Sequence, residues 1–148
     1  MSTRPNAATV WLALMHAHAA VDRVAVNSIR DTGLCYTDFA ILESLLHRGP
    51  LPVNGIATDI HLTSGSMTTA VDRLVGRDLV GRAPNPADKR SRLVELTTEG
   101  RVLIEESYAR HAADLDAVMR DVLTDAEKAD LFALLRKLEK GVKARTTD

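Results

Sequence analysis

Residues 62–96, LTSGSMTTAVDRLVGRDLVGRAPNPADKRSRLVEL, decide the fold. The first half predicts a helix, capped by Thr63 or Ser64 and running to about Arg77. In the second half, residues 80–83 and 92–96 are β-capable. The turn-rich Pro84-Asn85-Pro86-Ala87-Asp88-Lys89 between them makes a hairpin. A helix that opens on small hydroxylated residues, followed by a basic hairpin, has the form of a recognition helix and a wing. Such a pair enters a major groove and grips the flanking backbone at the same time.

Working outward, residues 53–60 predict a short helix after Pro52, and His61-Leu62 a tight turn before the helix just described. Residues 37–47 form a further helix, ended by Arg48-Gly49-Pro50. Residues 8–30 are a long amphipathic helix with Val10, Leu14, Val21, Val24 and Ile29 apolar, ended by Asp31-Thr32-Gly33. Beyond the hairpin a fifth helix runs from Thr97 to about Val122. Thr124-Asp125-Ala126-Glu127 is a capping box that opens a sixth, along which Leu131, Leu134, Leu135, Leu138 and Val142 recur.

The expectation is a mainly α fold with a small β-wing in one domain spanning 1–148. Residues 33–100 form the winged-helix region, and residues 8–30 and 98–143 form a helical region. The end helices are too apolar to surround a winged helix alone, so they are expected to bury against a second copy; the alternative is packing on each other within one chain.

The 148 residues carry a net charge of −1, so any contact with nucleic acid must come from local charge. Residues 62–96 supply it. Arg73, Arg77, Arg82, Lys89, Arg90 and Arg92 stand there against Asp72, Asp78, Asp88 and Glu95. The single cysteine, Cys35, excludes an intrachain disulfide and any multi-cysteine zinc motif. No run approaches membrane-spanning length and the first residues lack a secretory pattern, so a cytoplasmic protein is expected. There is no glycine-rich phosphate loop, nucleophile elbow or paired-histidine motif, so neither an enzyme nor a cofactor is expected.

The segment Asp88-Lys89-Arg90-Ser91-Arg92-Leu93-Val94-Glu95-Leu96-Thr97-Thr98-Glu99-Gly100 resembles the wing and exit of the MarR-type winged-helix transcriptional regulators: an Asp-x-Arg pair, a strand, then Leu-Thr-x-x-Gly. Phe39-Ala40-Ile41-Leu42, Leu74-Val75 and Gly49-Pro50-Leu51-Pro52 are similar to the family's core and its helix-turn-helix entry. Residues 62–68 resemble the subgroup associated with catechol and quinone resistance. The resemblance covers residues 33–100 closely and the end helices in arrangement. Two departures are His61 and Asp78, where the family often carries glycine. Gly76 lies two residues early, so an irregular or shifted helix end is expected there.

The recognition helix presents Ser64, Ser66, Met67, Thr68 and Thr69. Its hydroxyls suit base edges or phosphates, and Met67 or a threonine methyl suits a thymine methyl. Arg73, one turn on, is placed for a phosphate. The alternative keeps Thr63 and Ser64 as caps and the other hydroxyls as solvated surface. The resemblance implies that Arg90 enters or borders the minor groove and that Asp88 supports the wing. Lys89 and Arg92 are phosphate contacts or ordinary hairpin charges.

The resemblance also implies a homodimer on a palindromic operator, more often a repressor than an activator. A small aromatic or phenolic effector is expected where the first, second and fifth helices meet the winged helix. Candidate linings are Trp11, Met15, His16, His18, Cys35, Tyr36 and His111, each histidine being alternatively an ordinary helix residue. Some family members sense oxidants or quinones through a thiol, and Cys35 begins a helix, where the dipole favours a thiolate; the plainer reading is a capping cysteine. A metal site from Cys35 with His16, His18 or His111 lacks tight ligand spacing and is disfavoured. A winged helix that binds protein rather than DNA is the remaining rival, though it has no need of Arg73, Lys89, Arg90 and Arg92.

Overall fold

A computed structural model describes residues 4–60 and 63–146. The turn expected at His61 and Leu62, and the Ser64 side chain, lie outside the described residues. The described elements run α1 (Ala7–Arg30), α2 (Tyr36–Arg48), β1 (Leu51–Pro52), α3 (Val53–Asp59), α4 (Ser64–Gly76), β2 (Val80–Pro84), β3 (Arg92–Leu96), α5 (Thr98–Arg120) and α6 (Asp125–Thr146).

The helices start and stop for local reasons. Asn6 caps α1, its Oδ1 accepting from Thr9 N at 2.9 Å. The chain leaves α1 and α2 through Gly33 and Gly49, whose φ of 79° and 77° a side chain would resist. At α6 the capping box is closed: Thr124 N donates to Glu127 Oε2 at 2.8 Å and Glu127 N to Thr124 Oγ1 at 3.3 Å. These bonds from Thr124 hold the Glu127 carboxyl below its ordinary value.

The sheet has the order β1-β3-β2 and is antiparallel throughout. β2 and β3 form the expected hairpin, with Val80 opposite Leu96 and Pro84 opposite Arg92. Strand β1 was not expected: Leu51 faces Val94 and Pro52 faces Leu93. Its edge position tolerates Pro52, which has no N–H to give. The core lies beneath this sheet. Phe39, Ile41, Leu42 and Leu45 of α2 meet Ile56 of α3, Met67, Val71 and Leu74 of α4, Val80, Val94 and Ile104.

The end of α4 answers the question posed by Gly76 and Asp78. Leu79 N donates to Leu74 O and Asp78 N to Val75 O, both at 3.0 Å, which together are a Schellman motif. Gly76 is still helical, and Asp78 occupies the left-handed position with φ 57°. Aspartate tolerates that conformation better than most side chains, though less well than glycine.

The Leu-Thr-x-x-Gly motif locks onto this turn. Thr97 Oγ1 donates to Asp78 O at 2.7 Å and accepts from Gly100 N at 2.9 Å, so one hydroxyl both caps α5 and holds the exit of α4. Thr97 N donates to Leu79 O at 3.2 Å. A Cβ on Gly100 would sit 1.8 Å from that same carbonyl oxygen, so only glycine fits.

The chain ends are different in character. α1 packs on α5 and α2 in its second half, while its first half is exposed, with Trp11 at 59%. Among the described residues α6 packs extensively on no other element, and Phe132 and Leu134 stand 66% and 64% exposed.

Candidate functional site

The recognition helix sits with one face in the core and one in solvent. Met67, Ala70, Val71 and Leu74 are buried, while Ser66, Thr68, Thr69, Asp72 and Arg73 are exposed. At its start Thr63 Oγ1 donates to Ser66 Oγ at 3.1 Å and makes no bond to a backbone amide. The helix is braced on both flanks. Arg73 Nε donates to both oxygens of Asp38 at 3.2 and 3.3 Å, its Nη2 bonds the same carboxylate, and Arg77 Nη1 lies 3.4 Å from Asp38 Oδ2. Asp38 is only 3% exposed, so these two guanidiniums are what makes its burial tolerable. The hydrogen bond to Asp38 in turn holds the Arg73 guanidinium above its ordinary value. On the other flank Arg82 Nη2 of β2 pairs with Asp72 Oδ1 at 2.6 Å, tying helix to wing.

The wing tip is built from two side-chain turns. Asn85 Oδ1 accepts from Ala87 N and Asp88 Oδ1 from Arg90 N, both at 3.0 Å. Ser91 joins the two: its N and Oγ donate to Asp88 O, and Asn85 Nδ2 donates to Ser91 Oγ at 2.7 Å. Asp88 therefore shapes the turn, and Arg90 is left 95% exposed at its tip, Nε 3.6 Å from Asp88. Among the described residues Lys89 and Arg92 have no ion-pair partner. Two unpaired positive side chains and a projecting arginine thus stand on the wing, which Arg82 ties to α4 through Asp72.

A cavity of about 390 Å³ lies between α1, α2, α5 and α6. Its wall is mostly apolar, with Leu14, Val21, Ile29, Phe39, Met119 and Leu135, and polar groups from His18, Asp22, Tyr36, Glu43 and His111. His111 is held by Ser28 Oγ, 2.7 Å from its Nδ1, and meets Phe39 edge-on at 5.1 Å between ring centres. Burial pushes the half-buried Glu43 carboxyl up; His47 and His111 oppose the shift and Asp59 adds to it.

A MarR family model matches residues 34–91, the winged helix. The HTH-type transcriptional regulator MhqR of Bacillus subtilis is 31% identical over 129 residues, covering 87% of this chain and 88% of MhqR. The chain belongs to the MarR family. The multiple antibiotic resistance protein MarR of Salmonella typhimurium is 32% identical over 117 residues, covering 79% of this chain and 81% of that one. Among solved structures, a mutant MarR from E. coli complexed with operator DNA superposes with a TM-score of 0.73 at 30% identity, covering 84% of this chain and 90% of that one. This MarR-family protein is a DNA-binding transcription regulator with a winged-helix fold.

Within that MarR-family frame the expected site residues separate. Ser66, Thr68 and Thr69 lie on the exposed face of α4, with Lys89, Arg90 and Arg92 on the adjoining wing. Met67 is a correction. It is 0% exposed, because positions 67, 70, 71 and 74 recur on the helix's core face, and it has no route to a thymine methyl. Arg73 is committed to Asp38 and, half-exposed, is less free than a solvated arginine.

Of the expected pocket residues, His18, Tyr36 and His111 line the cavity, while Trp11, Met15, His16 and Cys35 do not. All three α1 residues are exposed: Trp11 shares the face of His18 and Ile29 but lies a turn nearer the N-terminus than the cavity, Met15 borders that face, and His16 is on the opposite one. Cys35 is the exposed N-cap of α2, on a separate shallow cleft with Arg30 and Gly33. No three His, Cys, Asp or Glu side chains among the described residues are gathered to hold a metal.

The residues that sequence reasoning missed are Asp38, Asp22 and Glu43, none of which carried a local signal; Arg82 and Asn85 were placed in the wing, but not their bonds to Asp72 and Ser91.

Proposed function

We propose that the protein is a cytoplasmic, homodimeric repressor that binds a palindromic operator and releases it when a small aromatic molecule occupies the cavity between α1, α2, α5 and α6. It carries no catalytic role. The observation that supports this most is the unpartnered apolar surface of α6 and the first half of α1, bearing Trp11, Phe132 and Leu134. An exposed apolar stripe of this length is stabilised by a second copy laid on it about a two-fold axis. Two winged helices related by that axis then meet two half-sites about one DNA turn apart. A molecule that fits only one arrangement of the end helices shifts that spacing, and by linkage loosens the operator. In one solved relative, BpsR of Bordetella bronchiseptica, DNA binding is regulated by 6-hydroxynicotinic acid; BpsR is 25% identical, with a TM-score of 0.75 over 93% of this chain and 98% of that one.

In this reading Ser66, Thr68 and Thr69, with Ser64, meet base edges. Lys89, Arg92 and Arg73 hold phosphates, and Arg90 reaches into or beside the minor groove. The test is light scattering and DNA-binding titration of wild type and Leu134→Asp. The variant should be monomeric and bind the DNA next to its own gene at least tenfold more weakly. A dimeric, fully active Leu134→Asp would count against an α6 interface. Ser66→Ala or Thr68→Ala should change which site a library selects.

A second reading has one observation in its favour. Arg73 Nη2 donates to Cys35 Sγ at 3.6 Å, so oxidation or alkylation of Cys35 would disturb the guanidinium that braces the recognition helix. If quinone still releases DNA from Cys35→Ser at the wild-type dose, thiol sensing is excluded.

A further inference from the structure

A nearly buried carboxylate holds the recognition helix from the α2 side. Asp38 lies in the first turn of α2, and among the described residues every hydrogen bond it accepts comes from Arg73 and Arg77 of α4. Arg73 meets it side-on. Its Nε reaches both oxygens, and its Nη2 bonds Oδ1 and donates to Cys35 Sγ at 3.6 Å. A guanidinium has five N–H groups in a fixed plane, so the two that remain are both on Nη1, which has no partner among the described residues. The Arg73 side chain is still 47% exposed.

An arginine free in water loses most of its rotamer freedom when it binds a phosphate. Arg73 has lost that freedom before DNA arrives, because three of its N–H groups are already engaged by α2. The pair on the other flank, Arg82 with Asp72, gives no equivalent hold: Asp72 is 58% exposed, and pairs so open to water contribute little. Positions 66, 73 and 77 are seven and four residues apart and fall on one side of α4, so the clamp also steadies the row that carries Ser66. Charge alone gives Asp38 the opposite role, since a carboxylate near the DNA face repels phosphates. Aim and charge therefore predict effects of opposite sign when the carboxylate is removed.

We infer that Asp38 is a positioning residue for DNA binding, clamping the Arg73 guanidinium side-on so that Nη1 is presented to a backbone phosphate. This rests on the reading of Arg73 as a phosphate contact, and adds the residue that aims it.

The experiment titrates the full chain with two duplexes at several salt concentrations: the sequence that the wild-type protein selects from a random library, and a shuffled duplex of the same length and composition. Asp38→Asn should bind the selected duplex at least tenfold more weakly, with a salt slope lower by about one counterion per chain, and bind the shuffled duplex no more weakly than wild type. Arg73→Lys keeps the charge but lacks the fork, and should lose the selected duplex to the same extent. In an Arg73→Gln background, Asp38→Asn should cost less than threefold, whereas a carboxylate that only supported the fold would cost as much there as in wild type. Wild-type affinity and salt slope in Arg73→Gln overturn the phosphate contact and the inference together. A weakened Arg73→Gln overturns the positioning role alone if Asp38→Asn keeps or gains affinity for the selected duplex, weakens both duplexes equally, or costs as much in the Arg73→Gln background. If Asp38→Asn does not fold, Arg73→Lys decides: full affinity for the selected duplex overturns the clamp.

Discussion

Replacing Gly100 by alanine tests the account of how the recognition helix is joined to α5. In a helix an alanine ordinarily gains about 1 kcal/mol over glycine, so helix propensity alone predicts a more stable protein. The structure predicts the reverse. The new Cβ would lie 1.8 Å from Leu79 O and 2.8 Å from its carbonyl carbon. An ordinary carbon–oxygen contact is about 3.3 Å, so the two segments must part by about 1.5 Å. Backbone opposes backbone here, with no flexible side-chain tip to swing aside.

Parting them stretches the bond from Thr97 N to Leu79 O and the one from Thr97 Oγ1 to Asp78 O. Overpacking of about 1–3 kcal/mol and two hydrogen bonds at about 1 kcal/mol each, less the propensity gain, leave a net loss of about 2–4 kcal/mol. Urea denaturation at fixed protein concentration measures this directly, since the stability of a self-associating chain depends on concentration. Gly76→Ala is the matched control: a Cβ there meets nothing within 4 Å, and the change should be neutral or stabilising by up to about 1 kcal/mol. If Gly100→Ala lies within about 0.5 kcal/mol of wild type, the junction is softer than described and the argument fails.

Three further outcomes are expected. Asp78→Gly should raise stability by about 0.5–1 kcal/mol in the same assay, because glycine relieves the φ of 57° at the cost of a freer unfolded chain; a loss would mean that the Asp78 side chain does more than occupy the turn. Arg90→Ala should weaken binding to every DNA sequence and lower the salt slope by about one counterion, read from titrations at several salt concentrations; unchanged affinity and slope would take Arg90 out of the interface. The raised Glu43 carboxyl makes the folded chain hold a proton that the unfolded chain has released, so this group's contribution to stability falls as pH rises from the ordinary glutamate value through the folded one. Glu43→Gln should flatten that part of the pH–stability curve, and an unaltered curve would show that Glu43 is not perturbed.

The wing was readable because its chemistry is local. Asn85, Pro86 and Asp88 form their turn with near neighbours, and the strands beside them alternate. Strand β1 was not readable: two residues have no periodicity, and their pairing with Leu93 and Val94 joins segments some forty residues apart. Met67 was legible in principle, since positions 67, 70, 71 and 74 repeat at helical spacing, but its hydroxylated neighbours drew it onto the wrong face. For Trp11 the difficulty was position along the axis. The residues of α1 that line the cavity are Leu14, Ala17, His18, Val21, Asp22, Ala25 and Ile29, and Trp11 shares their face but lies beyond the cavity's end, which no periodicity reveals. Asp22, Glu43 and Asp38 were invisible for a simpler reason. An isolated carboxyl in a helix has the pattern of a solvated face, and only the fold shows what surrounds it.

The clamp at Thr97 gives α5 the mechanics of a crank. Its near end is fastened through one hydroxyl to the last turn of the DNA-reading helix, and its shaft is 23 residues, or about 34 Å. A tilt of about 5° at one end sweeps the other through about 3 Å, a step comparable to the spacing between neighbouring base pairs. In the proposed reading, an effector that tilts this shaft by a few degrees would shift the recognition helix by about one base-pair step.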